Sequence, residues 1–189
     1  MLSGKNRQPK SAGDDNNLDT DRWATVRDVL SLPTEPLPLP ETYKLGGPQH
    51  YNWHVTRALN QITIDRLKFI KAGGSRFDLP DRLRPDCHKG KNEGFSNVYG
   101  RMSWDKPSPT ITGGCTTLSK GRFGHPDKLR TISIREAALL QTFPASYKFK
   151  ASSVDSVCRI IGNALPCLFA KKMALACIDA LKKQSKIEV

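Results

Sequence analysis

Apolar residues fall at helical spacing in four stretches of this chain, and between them the pattern dissolves. Val26 and Leu30 form the first apolar pair, and Thr25-Val26-Arg27-Asp28 has the form of a capping box. They predict a short helix that ends by Ser31-Leu32-Pro33. Ile64, Leu67 and Ile70, at i, i+3 and i+6, predict a helix over 63–72, with Gly73-Gly74 offering a left-handed C-terminal cap. The best-defined stretch is 134–141: Ser133 is a good N-cap, Glu136 completes a capping box three residues on, and Pro144 stops the helix. A final amphipathic helix is predicted from about 168 to 183. Ala170, Met173, Ala174, Cys177, Ile178 and Leu181 share one face, with Lys171, Lys172, Asp179, Lys182 and Lys183 opposite.

The intervening segments carry different signals. Residues 1–20 are polar and aperiodic and read as a disordered tail. Five prolines between 33 and 48 predict an extended run over a surface. From 78 to 130 Gly, Pro, Ser and Thr are frequent and apolar runs are short, a profile of short strands and long loops. The expected class is therefore α+β and loop-rich, with a terminal helix that has little of this chain left to pack on.

Composition narrows the possible partners. At 189 residues there is room for one domain, or one small domain with tails. No apolar run approaches the ~20 residues of a membrane span, and the first twenty residues lack a secretory signal's apolar core. Five irregularly spaced cysteines fit reduced thiols better than a disulfide framework, so no membrane and a cytoplasmic location are expected. The net charge is +12, and residues 82–150 hold 13 Lys/Arg against 5 Asp/Glu. A basic segment of that kind is the footprint of a polyanion binder, although many basic proteins are merely well solvated. Cys87, His88, Cys115 and His125 match no common zinc spacing, and adjacent residues rarely coordinate one tetrahedral ion. No metal is expected.

Two ordered strings carry a resemblance. Arg130-Thr131-Ile132-Ser133-Ile134-Arg135-Glu136-Ala137-Ala138-Leu139-Leu140-Gln141-Thr142-Phe143-Pro144 and Ile161-Gly162-Asn163-Ala164-Leu165-Pro166 resemble the last two sequence blocks of the DNA cytosine-5 methyltransferases of bacterial restriction-modification type. The segment from Tyr99 to Thr112 and Gly121-Arg122-Phe123-Gly124-His125-Pro126 look like the family's target-recognition region, and Trp23 to Leu30 is similar to the segment leaving its catalytic domain. The family's reaction adds a cysteine thiolate to C6 of a flipped-out cytosine, so that C5 accepts a methyl group from S-adenosylmethionine. Its Pro-Cys-Gln nucleophile turn, its Glu-Asn-Val turn, a Gly-rich cofactor turn and the Gln-Arg-x-x-Arg cluster before Trp23 are all absent from these residues. Pro166-Cys167 mimics half of the nucleophile turn, but Cys167 stands inside the final block and reads as a small thiol at the start of a helix. No catalytic residue is therefore assigned.

The resemblance implies roles for particular positions. Thr110 and Ile111 match the threonine-plus-aliphatic pair that ends the recognition region, where Thr110 would lie against the DNA backbone; a β-branched pair in a strand is the plain alternative. Arg101, Lys120, Arg122 and Lys128 are candidates for phosphate or guanine contacts, each alternatively a solvated charge. Arg135 and Glu136 are expected to form a structural pair. Asn163, Ala164 and Leu165 align with positions bordering S-adenosylmethionine, where the Asn amide can bond a ligand or cap the next helix. Ile160, where glutamine is usual, and Cys167, where a second proline is usual, depart from the pattern.

The leading expectation is a split methyltransferase. Residues 1–20 would be a tail, 21–150 a target-recognition domain for double-stranded DNA, and 151–189 a segment completing the α/β doubly wound sheet of a separate catalytic subunit. That subunit would hold most of the S-adenosylmethionine site, and this chain alone would be inactive. Met1, about twenty residues ahead of the point where some family members divide, suits a chain that begins there. The competing readings are a non-catalytic sequence-specific DNA-binding protein and a truncated remnant of a methyltransferase gene.

Overall fold

The computed structural model describes residues 23–91 and 93–184; the tail expected over 1–20 lies outside them. Helix α1 (Val26–Val29) begins where its capping box predicts, with the Thr25 amide donating to the Asp28 carboxylate at 2.7 Å. Its free N-terminal N–H groups are satisfied across the chain, from Val26 to the Lys106 carbonyl and from Arg27 to that of Trp104. Val26 and Leu30 turn inward.

The proline-rich segment is not extended throughout, as the sequence predicted. Strand β1 (Leu37–Pro38) leads directly into α2 (Leu39–Lys44). Pro40 falls in the first helical turn, where a missing N–H costs nothing, so the proline starts the helix rather than blocking it. Strand β2 (Val55–Thr56) pairs with β1 in parallel, Leu37 beside Val55, in the one sheet among the described residues. Helix α3 (Gln61–Phe69) starts two residues ahead of the expected position because Asn60 caps it, accepting from the Thr63 amide at 3.1 Å. It also ends early. Ile70 is already extended, and Gly73, at φ +74°, serves a separate turn docked on the Met102 carbonyl.

Across 78–130 the predicted strands shrink to single bridges, Arg101 to Gly124 and Gly124 to Thr131, set among loops and 3-10 turns. Helix α4 (Ile134–Leu140) forms with both halves of its capping box in place. Helix α5 (Val154–Asn163) was not anticipated, although Ser153 is an N-cap and Val154, Val157, Cys158 and Ile161 follow a clear i, i+3, i+4, i+7 pattern. All four are buried.

These inward faces meet in one main core that also takes Trp53, Met102, Ile111, Phe123, Ile132, Ile134 and Phe149. The core runs unbroken across 150/151, where the sequence placed a domain boundary. A smaller cluster of Ile70, Leu79 and Leu83 lies apart. Helix α6 (Cys167–Gln184) buries none of its residues. Leu168, Phe169, Met173, Leu175, Ile178 and Leu181 remain exposed, Leu181 by 67%. The mixed helical architecture with one small sheet fits the α+β expectation.

Candidate nucleic-acid interface

Helix α4 is the fixed point from which the rest is positioned. Glu136 is buried, accepts from the Ser133 amide at 2.6 Å, and takes a two-pronged contact from Arg130 at 2.8 and 2.9 Å. Burial alone would raise its pKa; Arg130 and the Ser133 amide outweigh that and hold the carboxyl below its ordinary range. Arg130 also reaches Glu35 at 3.2 Å, which ties the proline-rich segment to the start of α4. Arg135 and Glu136 do not pair with each other, contrary to expectation, because successive helical residues point to different faces. Arg135 donates instead to the Asn52 carbonyl at 2.8 Å, to the Asn52 side chain and to the Tyr147 carbonyl at 3.0 Å.

The C-terminal end of α4 joins the two strings that carried the family resemblance. Gln141 is buried, and its amide donates to the carbonyls of Ile161 at 3.0 Å and Ala164 at 3.4 Å. Its own carbonyl accepts from the Cys167 amide, and the Thr142 hydroxyl accepts from the Leu168 amide at 3.0 Å. Gln141-Thr142 thus fixes the α5–α6 junction. Asn163 ends α5 with its side chain exposed, Ala164 is the half-buried C-cap and Leu165 is exposed. Together they form an open polar and apolar edge.

The loop after Thr110 packs on α5. Thr110 is exposed while Ile111 is anchored in the main core, so the pair presents one side chain outward and one inward. The following Thr112–Gly113 peptide lies directly against Gly162, so close that a β-carbon there would be 2.2 Å from the Gly113 nitrogen. Arg57 braces the same junction, donating to the Thr116 hydroxyl at 3.0 Å and to Asp155 on α5. Cys115 and Cys158 meet beneath it, both buried; the neighbouring Cys158 thiol first, and then burial, push the Cys115 thiol well up. Lys120 is exposed, its aliphatic stem lying across Gly114, and Arg122 lies across Gly100.

Arg101 requires a correction. It is 4% exposed, and its guanidinium is consumed by the carbonyls of Leu67 at 2.7 Å, His125 at 2.8 Å and Lys128 at 2.7 Å. A cation so enclosed organises the 125–128 turn and cannot reach a phosphate. Burial correspondingly lowers its pKa. Ile111, a core residue, supports Thr110 rather than meeting DNA. Lys128 is exposed but shares Glu35 with Arg130, at 3.0 Å. Of the candidate basic residues, Lys120 lies beside the stretch that follows Thr110, over Gly114, while Arg122 is half-buried across Gly100. Arg159, not among the residues expected at the interface, borders Gly113 from α5 and is exposed. Its position could have been found from the i, i+3, i+4 pattern that places it opposite the buried face of that helix.

A model of the C-5 cytosine-specific DNA methylase family matches residues 21–179. The chain belongs to that family. It is 37% identical over 176 residues to the Type II methylase M.HgiDII of Herpetosiphon aurantiacus, covering 89% of this chain and 48% of that protein. It is 43% identical over 99 residues to the Type II methyltransferase M1.BsuMI of Bacillus subtilis, covering 52% and 23%. A plant relative, DNA (cytosine-5)-methyltransferase 1A of Oryza sativa subsp. japonica, is 32% identical over 133 residues, 61% of this chain and 9% of its own length. The chain thus spans about half the length of M.HgiDII and less of the others. Among the described residues, no helix is long and apolar enough to cross a membrane.

Proposed function

We propose that this chain is the DNA-recognition portion of a DNA (cytosine-5-)-methyltransferase, acting on double-stranded DNA with a separate catalytic polypeptide. That polypeptide would supply the cysteine nucleophile, the glutamate turn and most of the S-adenosylmethionine pocket. The methyl donor, when bound, provides the electrophilic carbon for C5 of the target cytosine. The contribution of this chain is recognition, positioning and closure. Thr110 presents its hydroxyl to the backbone beside the extruded cytosine, with Ile111 as its anchor. Lys120 and Arg122 meet phosphate or guanine edges from the adjoining turn. Asn163, Ala164 and Leu165 form the rim of the cofactor pocket.

The observation that carries this reading is that α6 buries none of its residues, although Met173, Ile178 and Leu181, exposed by 44–67%, share the face predicted to be apolar. Apolar surface left exposed along one face of a helix is costly in water and supports an interface there. Gln141 and Thr142 hold the start of that helix through the amides of Cys167 and Leu168, leaving the rest of it to meet the catalytic polypeptide. The test is reconstitution: labelled methyl transfer from S-adenosylmethionine to DNA by this chain mixed with a polypeptide carrying the missing blocks. Failure of every such mixture would count against the proposal.

A second reading has one observation in its favour. No buried residue of the main core comes from α6, which adds only the partly buried Cys167 at its start, so residues 23–167 have the makings of an independent DNA-binding body. That reading requires sequence-specific binding by the chain alone and no change on adding the catalytic polypeptide.

A further inference from the structure

Arg57 ties together three segments that lie far apart in the sequence. It directly follows β2, its Nε donates to the Thr116 hydroxyl at 3.0 Å, and a terminal nitrogen donates to Asp155 in the first turn of α5. Thr116 is 3% exposed and belongs to the loop that follows Thr110; its hydroxyl also lies 3.9 Å from the Cys158 sulfur on α5. That loop is folded on itself, the Cys115 amide donating to the Thr112 carbonyl and the Thr117 amide to that of Gly114. It touches α5 a second time where the Thr112–Gly113 peptide lies against Gly162. Asp155 and Gly162 are seven positions apart, which sets the two attachments ~10 Å from each other along the helix. A loop pinned only at Gly162 would pivot about that contact; the second anchor fixes its angle. Stability does not account for the anchor. The Arg57 and Asp155 side chains are 37% and 75% exposed, and ion pairs so open to water add little.

We propose that Arg57 is a positioning residue for methyl transfer: it sets the angle of the Thr110-bearing loop on α5, and so the place of the target cytosine relative to the cofactor rim at the far end of that helix. The inference rests on the DNA-recognition reading and extends it to a residue that acts without touching DNA or cofactor. Helix α5 is the shared reference for both sides. Asn163 closes it at the rim, and the loop carrying Thr110 is seated along its length. A displacement of ~1 Å between reacting groups costs as much as about a hundredfold in rate, so a brace worth little in stability is worth much in turnover. Arginine suits the task because its rigid fork reaches two acceptors from two nitrogens, whereas lysine offers one.

The experiment mixes the full chain with the catalytic polypeptide and measures the rate of the first turnover, using saturating unmethylated DNA and tritiated S-adenosylmethionine. R57A should lose about tenfold or more in that rate. Its DNA affinity, the salt dependence of that affinity and its KM for S-adenosylmethionine should match wild type, and its melting temperature should move by no more than about 4 °C. R57K, which keeps the charge but not the fork, should fall short of wild-type turnover. D155A, at the exposed end of the brace, should also slow the first turnover without changing DNA affinity, and it carries the test should R57A fail to fold. The proposal is overturned if R57A or R57K turns over like wild type, or if the loss of rate merely follows a loss of folded protein. It is equally overturned if R57A weakens DNA binding with a salt slope reduced by about one while D155A, freeing the guanidinium, strengthens it; Arg57 is then a phosphate contact. A wild-type mixture that transfers no methyl group brings down the recognition reading itself, and the role of Arg57 with it.

Discussion

Gly162 and Gly113 lie in direct backbone contact, and their closeness locks helix α5 to the loop that follows Thr110. A β-carbon at Gly162 would come within 2.2 Å of the Gly113 nitrogen and 2.3 Å of the Thr112 carbonyl carbon, distances that force the backbone to move. One at Gly113 would meet Arg159 at 3.5 Å, an ordinary contact. The two glycines are therefore not equivalent. G162A should cost about 1–3 kcal/mol of stability, the usual penalty for overpacking, and displace Thr110 with its loop. G113A should be close to neutral. Urea denaturation of the two variants side by side measures the difference; equal effects would show that the contact is not what joins the segments.

His125 predicts an acid-sensitive fold. Its Nδ1 accepts from the amides of Asp127 and Lys128, at 3.2 and 3.1 Å, so the folded protein needs the neutral ring. Burial, and then the nearby Arg130 charge, push its pKa down from 6.5 to about 4. The unfolded chain then binds the proton first, and stability present above pH 6.5 is lost progressively as the pH falls toward 4. The loss is at most about 3 kcal/mol across that window. Glu136, held below its ordinary range, adds a further loss at lower pH. H125N can still accept from the same amides without titrating, and should flatten the pH 4–6.5 part of the profile.

Arg101 and Lys120 should separate cleanly in a salt titration. Lys120→Ala should lower DNA affinity and reduce the slope of log K against log salt by about one, as for a lost phosphate contact. Arg101→Met should instead destabilise the protein by about 3 kcal/mol or more, because the carbonyls of Leu67, His125 and Lys128 lose their donor in a buried site. Whatever fraction of Arg101→Met remains folded should show the wild-type salt slope. A reduced slope would return Arg101 to the interface.

The sequence made much of this legible where local signals stood alone. Ser133 and Glu136 announced α4, and Thr25 and Asp28 announced α1, because a capping box is complete within four residues. It misled where one signal masked another. The prolines at 36, 38 and 40 obscured α2, although proline is welcome in a first turn. The Ile161-Gly162-Asn163 string drew attention as a turn, which hid the apolar pattern of α5 running into it. Charge was the least informative guide to the site. Arg101, Arg122 and Lys128 look alike in a basic loop, and only packing reveals that the first is enclosed by carbonyls and the last shares Glu35. The hydrogen bonds from Gln141 to Ile161 and Ala164 span some twenty positions and leave no local trace.

Helix α6 should be dispensable for folding and indispensable for assembly. Replacing Met173 and Ile178 together by glutamate should leave the melting curve of the isolated chain within about 0.5 kcal/mol of wild type, as for exposed positions. The same variant should fail to co-elute with the catalytic polypeptide. A large loss of stability would mean that α6 packs on its own chain.

The central claim is that these residues grip the duplex while the bond-making groups reside elsewhere. It is tested most directly by measuring transfer of tritiated methyl from S-adenosylmethionine to DNA with this chain alone, with the catalytic polypeptide alone, and with both. The account predicts incorporation only in the mixture, abolished by the Met173 and Ile178 double variant. Incorporation by this chain unaided would contradict it.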